Sequence, residues 1–436
     1  MSTVQAAANS LDRATADEDA IYQKVSWRIV PFLLLCYVAA YLDRVNVGFA
    51  KLQMQTDLAL SDTVYGLGAG IFFIGYFAFE IPSNLILHRV GARVWVARIM
   101  ITWGVVSAVT MFVKSAEAFY VMRFLLGLAE AGFFPGIILY LTYWYPAERR
   151  GRITSFFMTA IALSGVVGGP LSGWILKELA GANGWAGWQW LFLLEGIPSI
   201  VIGIAVLFLL DDRIRHASWL SEAEKDVLEA RIAADNESKE SHGVAQALGS
   251  GRVWHLSIVY FTFVMGLYGI SFWLPTLIKA LGVKDVLQIS LLTAIPWGAA
   301  VIAMVLVSHS ADRQGERRWH VAIPAFAGAA GLIISTVTHD MTGVSLAALT
   351  LATMGIMITL PLFWSLPTAF LSGAGAAAGI ALINSLGNLA GFVSPFAVGW
   401  LKDLTHSTDA GMYMLAIVLV LGGLLTLAVP ARLVTR

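Results

Sequence analysis

Twelve apolar runs of about twenty residues, separated by short polar connections, constrain this chain more than any other feature. A helix needs about twenty apolar residues to cross the ~30 Å hydrocarbon core of a bilayer, and it satisfies its backbone hydrogen bonds within itself. The runs fall at roughly 28–49, 63–85, 93–113, 117–142, 153–177, 188–210, 254–280, 287–309, 319–338, 344–370, 374–401 and 410–432. The expected fold class is an all-α polytopic membrane protein with twelve transmembrane helices. Of the 436 residues, 58% are hydrophobic and 13% charged, which is too apolar for water and too long for a single span.

Basic and acidic residues number 28 each, so net charge indicates no nucleic acid partner. Their placement is uneven. With the N-terminus inside, 20 Lys and Arg lie on the cytoplasmic side and six on the other: Lys51, Lys114, Lys177, Lys279, Lys284 and Lys402. The positive-inside rule then puts both termini in the cytoplasm. The opening segment carries Asp12, Asp17, Glu18 and Asp19 and lacks the basic start of a signal peptide, so residues 1–27 read as a cytoplasmic tail. The single cysteine, Cys36, sits in an apolar run and reads as a small packed hydrophobe.

One long polar connection, 211–252, divides the spans into two six-helix halves, 28–210 and 253–436. Within it Ser221-Glu-Ala-Glu224 reads as a capping box that starts a short amphipathic helix, with Val227, Leu228 and Ile232 on its apolar face. The halves look like copies. His88-Arg89-Val-Gly91-Ala-Arg93 answers Asp312-Arg313-Gln-Gly315-Glu-Arg317, and Gly169 to Glu178 answers Ser394 to Asp403 at nearly the same offset. Repeated halves with a site between them mark secondary transporters, in which one half rocks against the other.

The stretch from Arg123 to Gly136 places a base and an acid, Arg123 and Glu130, at membrane depth. On a helix they lie two turns apart, roughly 10 Å, on one side, and Gly127 between them is expected to keep that face open. Ionisable groups there cost about 2.5–3.5 kcal/mol each even on insertion scales, which makes them functional candidates. The plainer reading is an ion pair that pins helices together. In the first span Tyr37, Tyr41, Arg44 and Gly48 share a face, while Asp43 points about 100° away. Charges at the membrane interface are the alternative reading of Asp43 and Arg44. Tyr76 and Glu80 lie one turn apart in the second span; Tyr76 suits a cavity, and Glu80, before Pro82, suits a gate or a structural hydrogen bond. Glu195 in the sixth span could be a further proton site, although a structural pairing fits its place between Trp190 and Pro198 better.

The second half has lost the charges: Leu349 and Ile356 stand opposite Arg123 and Glu130. In their place come Thr359, Trp364, Ser365 and Thr368, then Asn384 and Asn388, with Tyr268, Phe272 and Trp273 in the seventh span. Neutral donors and rings suit the hydroxyls or ring of an organic acid. Gly387, Gly391, Pro395 and Gly399 recur every fourth residue as a smooth stripe for a neighbouring helix. No Walker A phrase, His-Glu-x-x-His or Gly-x-Ser-x-Gly is present, and Gly373-Ala-Gly375 follows no strand, so no enzyme, cofactor or metal is expected.

The phrase Asp312-Arg-x-Gly-x-Arg-Arg318 resembles the loop motif of the major facilitator superfamily; the first copy has His88 where Asp is usual. Tyr41-Leu-Asp43-Arg44-Val-Asn46, Glu80-Ile-Pro82-Ser-Asn84, Arg123 to Gly136 and Gly379 to Asn388 are similar to the anion:cation symporter branch, whose bacterial members carry galactonate, glucarate, tartrate, phthalate or hydroxyphenylacetate with protons. The resemblance covers the chain after residue 24. It implies proton-coupled uptake of an organic carboxylate across the bacterial inner membrane by a monomer. Asp43 and Glu130 would carry protons. Tyr41, Arg44, Tyr76, Arg123, Trp364, Ser365, Asn384 and Asn388 would bind substrate. Glu80, Arg89, Gly91, Arg93, Asp312, Arg313, Gly315 and Arg317 would gate or form the loop motifs. A facilitator or anion exchanger of the same fold, or a membrane sensor of the acid, are the alternatives.

Overall fold

The computed structural model describes residues 2–237, 249–367 and 373–431. Thr368 and part of the central linker lie outside them. Among the described residues twelve helical segments are long and apolar enough to cross a membrane. An even number of crossings returns the chain to its starting side, so the two termini share one end of the bundle, here the near end.

The first half contains α1 (Ser2–Val45), α2 (Val47–Asp57), α3 (Asp62–Val90), α4 (Ala92–Val109), α5 (Ala116–Glu130), α6 (Phe133–Thr142), α7 (Ala147–Met158), α8 (Ala160–Glu178) and α9 (Gly187–Leu209). Helix α1 begins well before the apolar run, where a tail was expected. Three spans are broken: α1 and α2 meet at Asn46, α5 and α6 at Ala131-Gly132, and α7 and α8 at Thr159. The linker helix α10 (Glu222–Glu237) opens with a reciprocal capping box: Ser221 N donates to Glu224 Oε2 at 2.7 Å and Glu224 N to Ser221 Oγ at 3.3 Å. Its Leu228 is buried, and Lys24 of α1 reaches Glu224 at 2.9 Å. The second half contains α11 (Gly251–Ala280), α12 (Val286–Gln314), α13 (Arg318–Val337), α14 (Thr342–Phe363), α15 (Gly373–Thr405) and α16 (Asp409–Leu427).

The halves press together through two matched interfaces, α3 on α15 and α8 on α12. Both are lined with glycine where backbones touch. A Cβ at Gly66 would lie 2.3 Å from the Pro395 carbonyl oxygen, and one at Gly399 would lie 2.2 Å from that of Asp62. The expected stripe on α15 is therefore an interface with α3, except that Gly387 faces Tyr260 of α11. At the far end, opposite the termini, the matched interfaces carry matched ion pairs. Lys177 meets Asp285 at 2.9 Å, and Lys402 meets Asp62 at 3.0 Å. These are the repeated lysines of the two copied phrases, each bonded to an Asp at the start of a helix in the opposite half. Asp403 adds bonds from the backbone N–H groups of Asp62, 3.1 Å, and Thr63, 2.7 Å.

The loop motifs brace helix ends. Gly91 has φ 98°, and an added Cβ would meet the Asp212 carboxylate at 2.9 Å. Asp212 accepts the Arg93 N–H at 2.8 Å, which ties the start of α4 to the end of α9. In the second copy Gly315 has φ 64°, Arg317 donates to the Ser365 carbonyl at 3.0 Å, and Arg318 donates to Val429 O at 3.1 Å. Arg89, Asp312 and Arg313 are exposed.

Candidate functional site

The two spans that break closest to the bundle centre carry the charged residues there. Helix α5 stops at Glu130 because Gly132 takes φ 86°, and a side chain at that position would strike Ser83 Oγ at 2.3 Å. The turn leaves Glu130 at a helix end, aimed at α1. The first span breaks at Asn46, two residues beyond Arg44. Discontinuous helices of this kind build ion and substrate sites at membrane depth.

Glu130 forms a buried ion pair with Arg44, not with Arg123. The Arg44 guanidinium also donates to Tyr268 Oη at 2.9 Å and sits 5.3–5.6 Å from the ring centres of Tyr41, Phe72 and Tyr76. Tyr41 Oη in turn pairs with Ser271 Oγ at 3.2 Å. Arg123, 1% exposed, donates through Nη2 to the Arg44 carbonyl at 3.3 Å and lies 5.2 Å from the Phe72 ring. Among the described residues, its Nε and Nη1, together with Arg44 Nε, have no hydrogen-bond partner. Buried donors left without partners are rare and costly, and here three belong to two neighbouring guanidiniums.

The face beside Gly127 is not open, as the sequence suggested. A Cβ at Gly127 would fall 1.9 Å from the Phe72 carbonyl oxygen, so the glycine lets the α3 backbone lie directly against α5. This close approach is what brings Phe72 and Tyr76 over the arginines.

Asp43, fully buried, points away from Arg44 as the helical period requires. It accepts from Trp103 Nε1 at 3.0 Å, Ser107 Oγ at 2.8 Å and Ser199 Oγ at 2.5 Å. Three donors from α4 and α9 thus hold one carboxyl inside the first half. Glu80 and Asn384 come together across the halves, with Asn384 Nδ2 donating to Glu80 Oε1 at 3.2 Å. Asn388 is half-buried one turn along α15. Thr359 and Ser365 turn their hydroxyls to their own helix, onto the carbonyls of Ile356 and Leu362. Trp364 packs on Tyr260, centroids 4.9 Å apart. The second-half group that reaches the arginines is therefore Tyr268 of α11, which the sequence presents only as one polar ring among several.

Sequence reasoning counted Lys51 among the loop cations. It is 2% exposed, with its ammonium 3.6 Å from the Trp273 ring centre and 2.6 Å from Asp62 Oδ1. The signal was present: Lys51 extends the face of Tyr41, Arg44 and Gly48 by three more residues.

The Major Facilitator Superfamily sequence profile matches residues 33–395. A putative tartrate transporter of Agrobacterium vitis is 50% identical over 412 residues, covering 94% of each chain. A putative metabolite transport protein of Pseudomonas putida, NicT, is 49% identical over 419 residues, covering 96% of each. Among solved structures, the partially occluded inward-open xylose transporter XylE from E. coli superposes with a TM-score of 0.73 at 17% identity, over 93% of this chain and 98% of that one.

Proposed function

The chain belongs to the major facilitator superfamily, and from that premise we propose that this multi-pass membrane transporter imports an organic carboxylate together with protons. The observation that carries the reading is the buried Arg44–Glu130 pair beside Arg123, whose Nε and Nη1 are unpartnered. Two guanidiniums in a dry aromatic box suit a carboxylate through bidentate, charge-assisted bonds. Hydroxy-diacids such as tartrate lead the substrate class, because the relative from A. vitis bears that name; sugar acids and aromatic acids are the other members.

Coupling follows from competition for Arg44. Ionised, Glu130 occupies the guanidinium; protonated, it releases Arg44 to join Arg123 on the substrate. Asp43, on the other side of Arg44, is the second acid on the proposed proton route. The neutral Tyr268 and Tyr41–Ser271 contacts would let the second half follow the loaded site as the halves rock, between domains 28–210 and 253–436. The distribution of basic residues supports cytoplasmic termini in a bacterial inner membrane, which makes the sealed far end the outer one.

Glu130→Gln tests the reading. Gln has the shape and charge of the protonated acid, so the variant should still bind tartrate, with a flatter pH dependence, and should still exchange labelled for unlabelled substrate across liposomes. It should not concentrate tartrate under an inward proton gradient. Accumulation equal to that of the natural protein would remove Glu130 from the coupling step.

A further inference from the structure

A second buried acid lies outside the arginine site. Glu195 of α9, 3% exposed, borders a small cavity of about 10 Å³ with Tyr41, Asn46, Ser172, Ser271 and Thr293. Space of that size is near the threshold for one water molecule. Glu195 Oε1 accepts from Ser172 Oγ at 2.7 Å, while Oε2, among the described residues, has no partner in good hydrogen-bond geometry, with the Asn46 amide close beside the carboxyl. Among the described residues, both side-chain polar atoms of Asn46, 1% exposed, are likewise without a partner in good geometry. Among the described residues no ion pair reaches Glu195. The titratable groups facing it are Asp43 and Tyr41, both on α1; α8, α11 and α12 line the cavity with neutral side chains.

The arrangement is a ladder between antiparallel helices. Asp43 and Asn46 lie one turn apart on α1, and Ser199 and Glu195 lie one turn apart on α9. Ser199 Oγ holds Asp43 on one rung, and Asn46 stands beside Glu195 on the next. The cavity also straddles the halves, since Ser271 and Thr293 belong to the second. It lies against the α8–α12 interface, where a Cβ at Gly165 would enter the Trp297 ring at 2.3 Å. Parting the halves at the far end uncovers it from that side.

We propose that Glu195, with Asn46 and one water, is the entry station for the transported proton, an inference that rests on the proton-coupled reading above. A hydronium in the opened cleft gives its proton to Glu195 Oε2 and leaves as water. When the halves close, the neutral acid donates Oε2–H to the cavity water, which donates to Asn46 Oδ1, so every orphaned acceptor is satisfied. The same water later takes this proton while releasing one of its own toward Asp43, so Glu195 returns to its anion, the Asp43 carboxyl gains the O–H bond and the water is left unchanged.

The test needs no substrate. Infrared difference spectra of the purified full-length protein across a pH titration should contain a protonated-carboxyl band at neutral pH that Glu195→Gln abolishes. Ser172→Ala, which keeps the acid but removes the bond to its carbonyl oxygen, should move that band to higher frequency. A Glu195→Gln spectrum identical to that of the natural protein, or a band that sodium chloride removes at constant pH, overturns the proposal; the latter result would make the cavity a sodium site. Tartrate-induced proton uptake by proteoliposomes, measured in parallel, reports on the coupled-transport reading separately. Its absence in the natural protein would sink that reading while the spectra still decide the state of Glu195.

Discussion

Arg123 has two nitrogens without partners at a depth where a bare ammonium or guanidinium is expensive. On the proposed carboxylate reading, Arg123→Lys is predicted to weaken tartrate binding by about tenfold or more, since a charge-assisted hydrogen bond contributes roughly 1.5–3 kcal/mol and an ammonium cannot fork. Calorimetric titration against the folded variant checks this; natural affinity would make Arg123 a point charge. Arg44 behaves differently because its charge is already answered. Glu130→Ala, which strands Arg44, is predicted to destabilise the protein by about 3–5 kcal/mol, seen as a lowered Tm, whereas Glu130→Gln keeps a polar partner and loses less. The divergence of Asp43 from Arg44 was legible in the 100° helical step. That Asp43 would be enclosed by Trp103, Ser107 and Ser199 was not, because those residues lie 60 to 156 positions away.

At the scale of helices, the far end is closed by backbone contact and then bolted by charge. Gly66→Val places atoms where the Pro395 carbonyl now sits, and overpacking of this kind costs about 1–3 kcal/mol. The cost falls only on the arrangement in which α3 and α15 touch, so the variant should favour the form opened at the far end. A cysteine at Ser271 in a Cys36→Ser background should then label roughly tenfold faster from that side; unchanged labelling would mean that this contact does not hold the far end shut. The Lys177–Asp285 bolt is expected to be indifferent to pH in the neutral range. The Lys177 ammonium holds the Asp285 carboxyl below its ordinary range. Its contribution is complete above the usual carboxylate pKa of about 3.9 and is lost only as pH falls through the lowered value. Labelling of the Ser271→Cys protein with Asp285→Asn added should therefore show the same pH dependence between about pH 5 and 8 as without it. A pH response that vanishes with Asp285→Asn would place the sensor there instead.

For the whole molecule, two single cysteines read the orientation. Cysteines at Ala59, on the far end, and at Ala234, in the linker helix, should react oppositely in a Cys36→Ser background. Ala59→Cys should label with impermeant reagent in intact cells, and Ala234→Cys only after the cells are opened; the reverse pattern overturns the assignment from basic residues. The sequence alone determined the number of spans and the all-helical class, because membrane insertion is read locally from runs of twenty apolar side chains, and it showed the partial match between the two pairs of repeated phrases. It also exposed Arg44, Arg123 and Glu130, since a charge in such a run is visible without knowing its neighbours. Only the tertiary structure decided which acid answers which arginine, that Tyr268 rather than Trp364 or Ser365 meets Arg44, and that Lys51 is buried against Trp273. Those outcomes depend on where two helices break and on how closely glycines let backbones approach. Both are set by packing between residues far apart in the chain, for which helical periodicity carries no information.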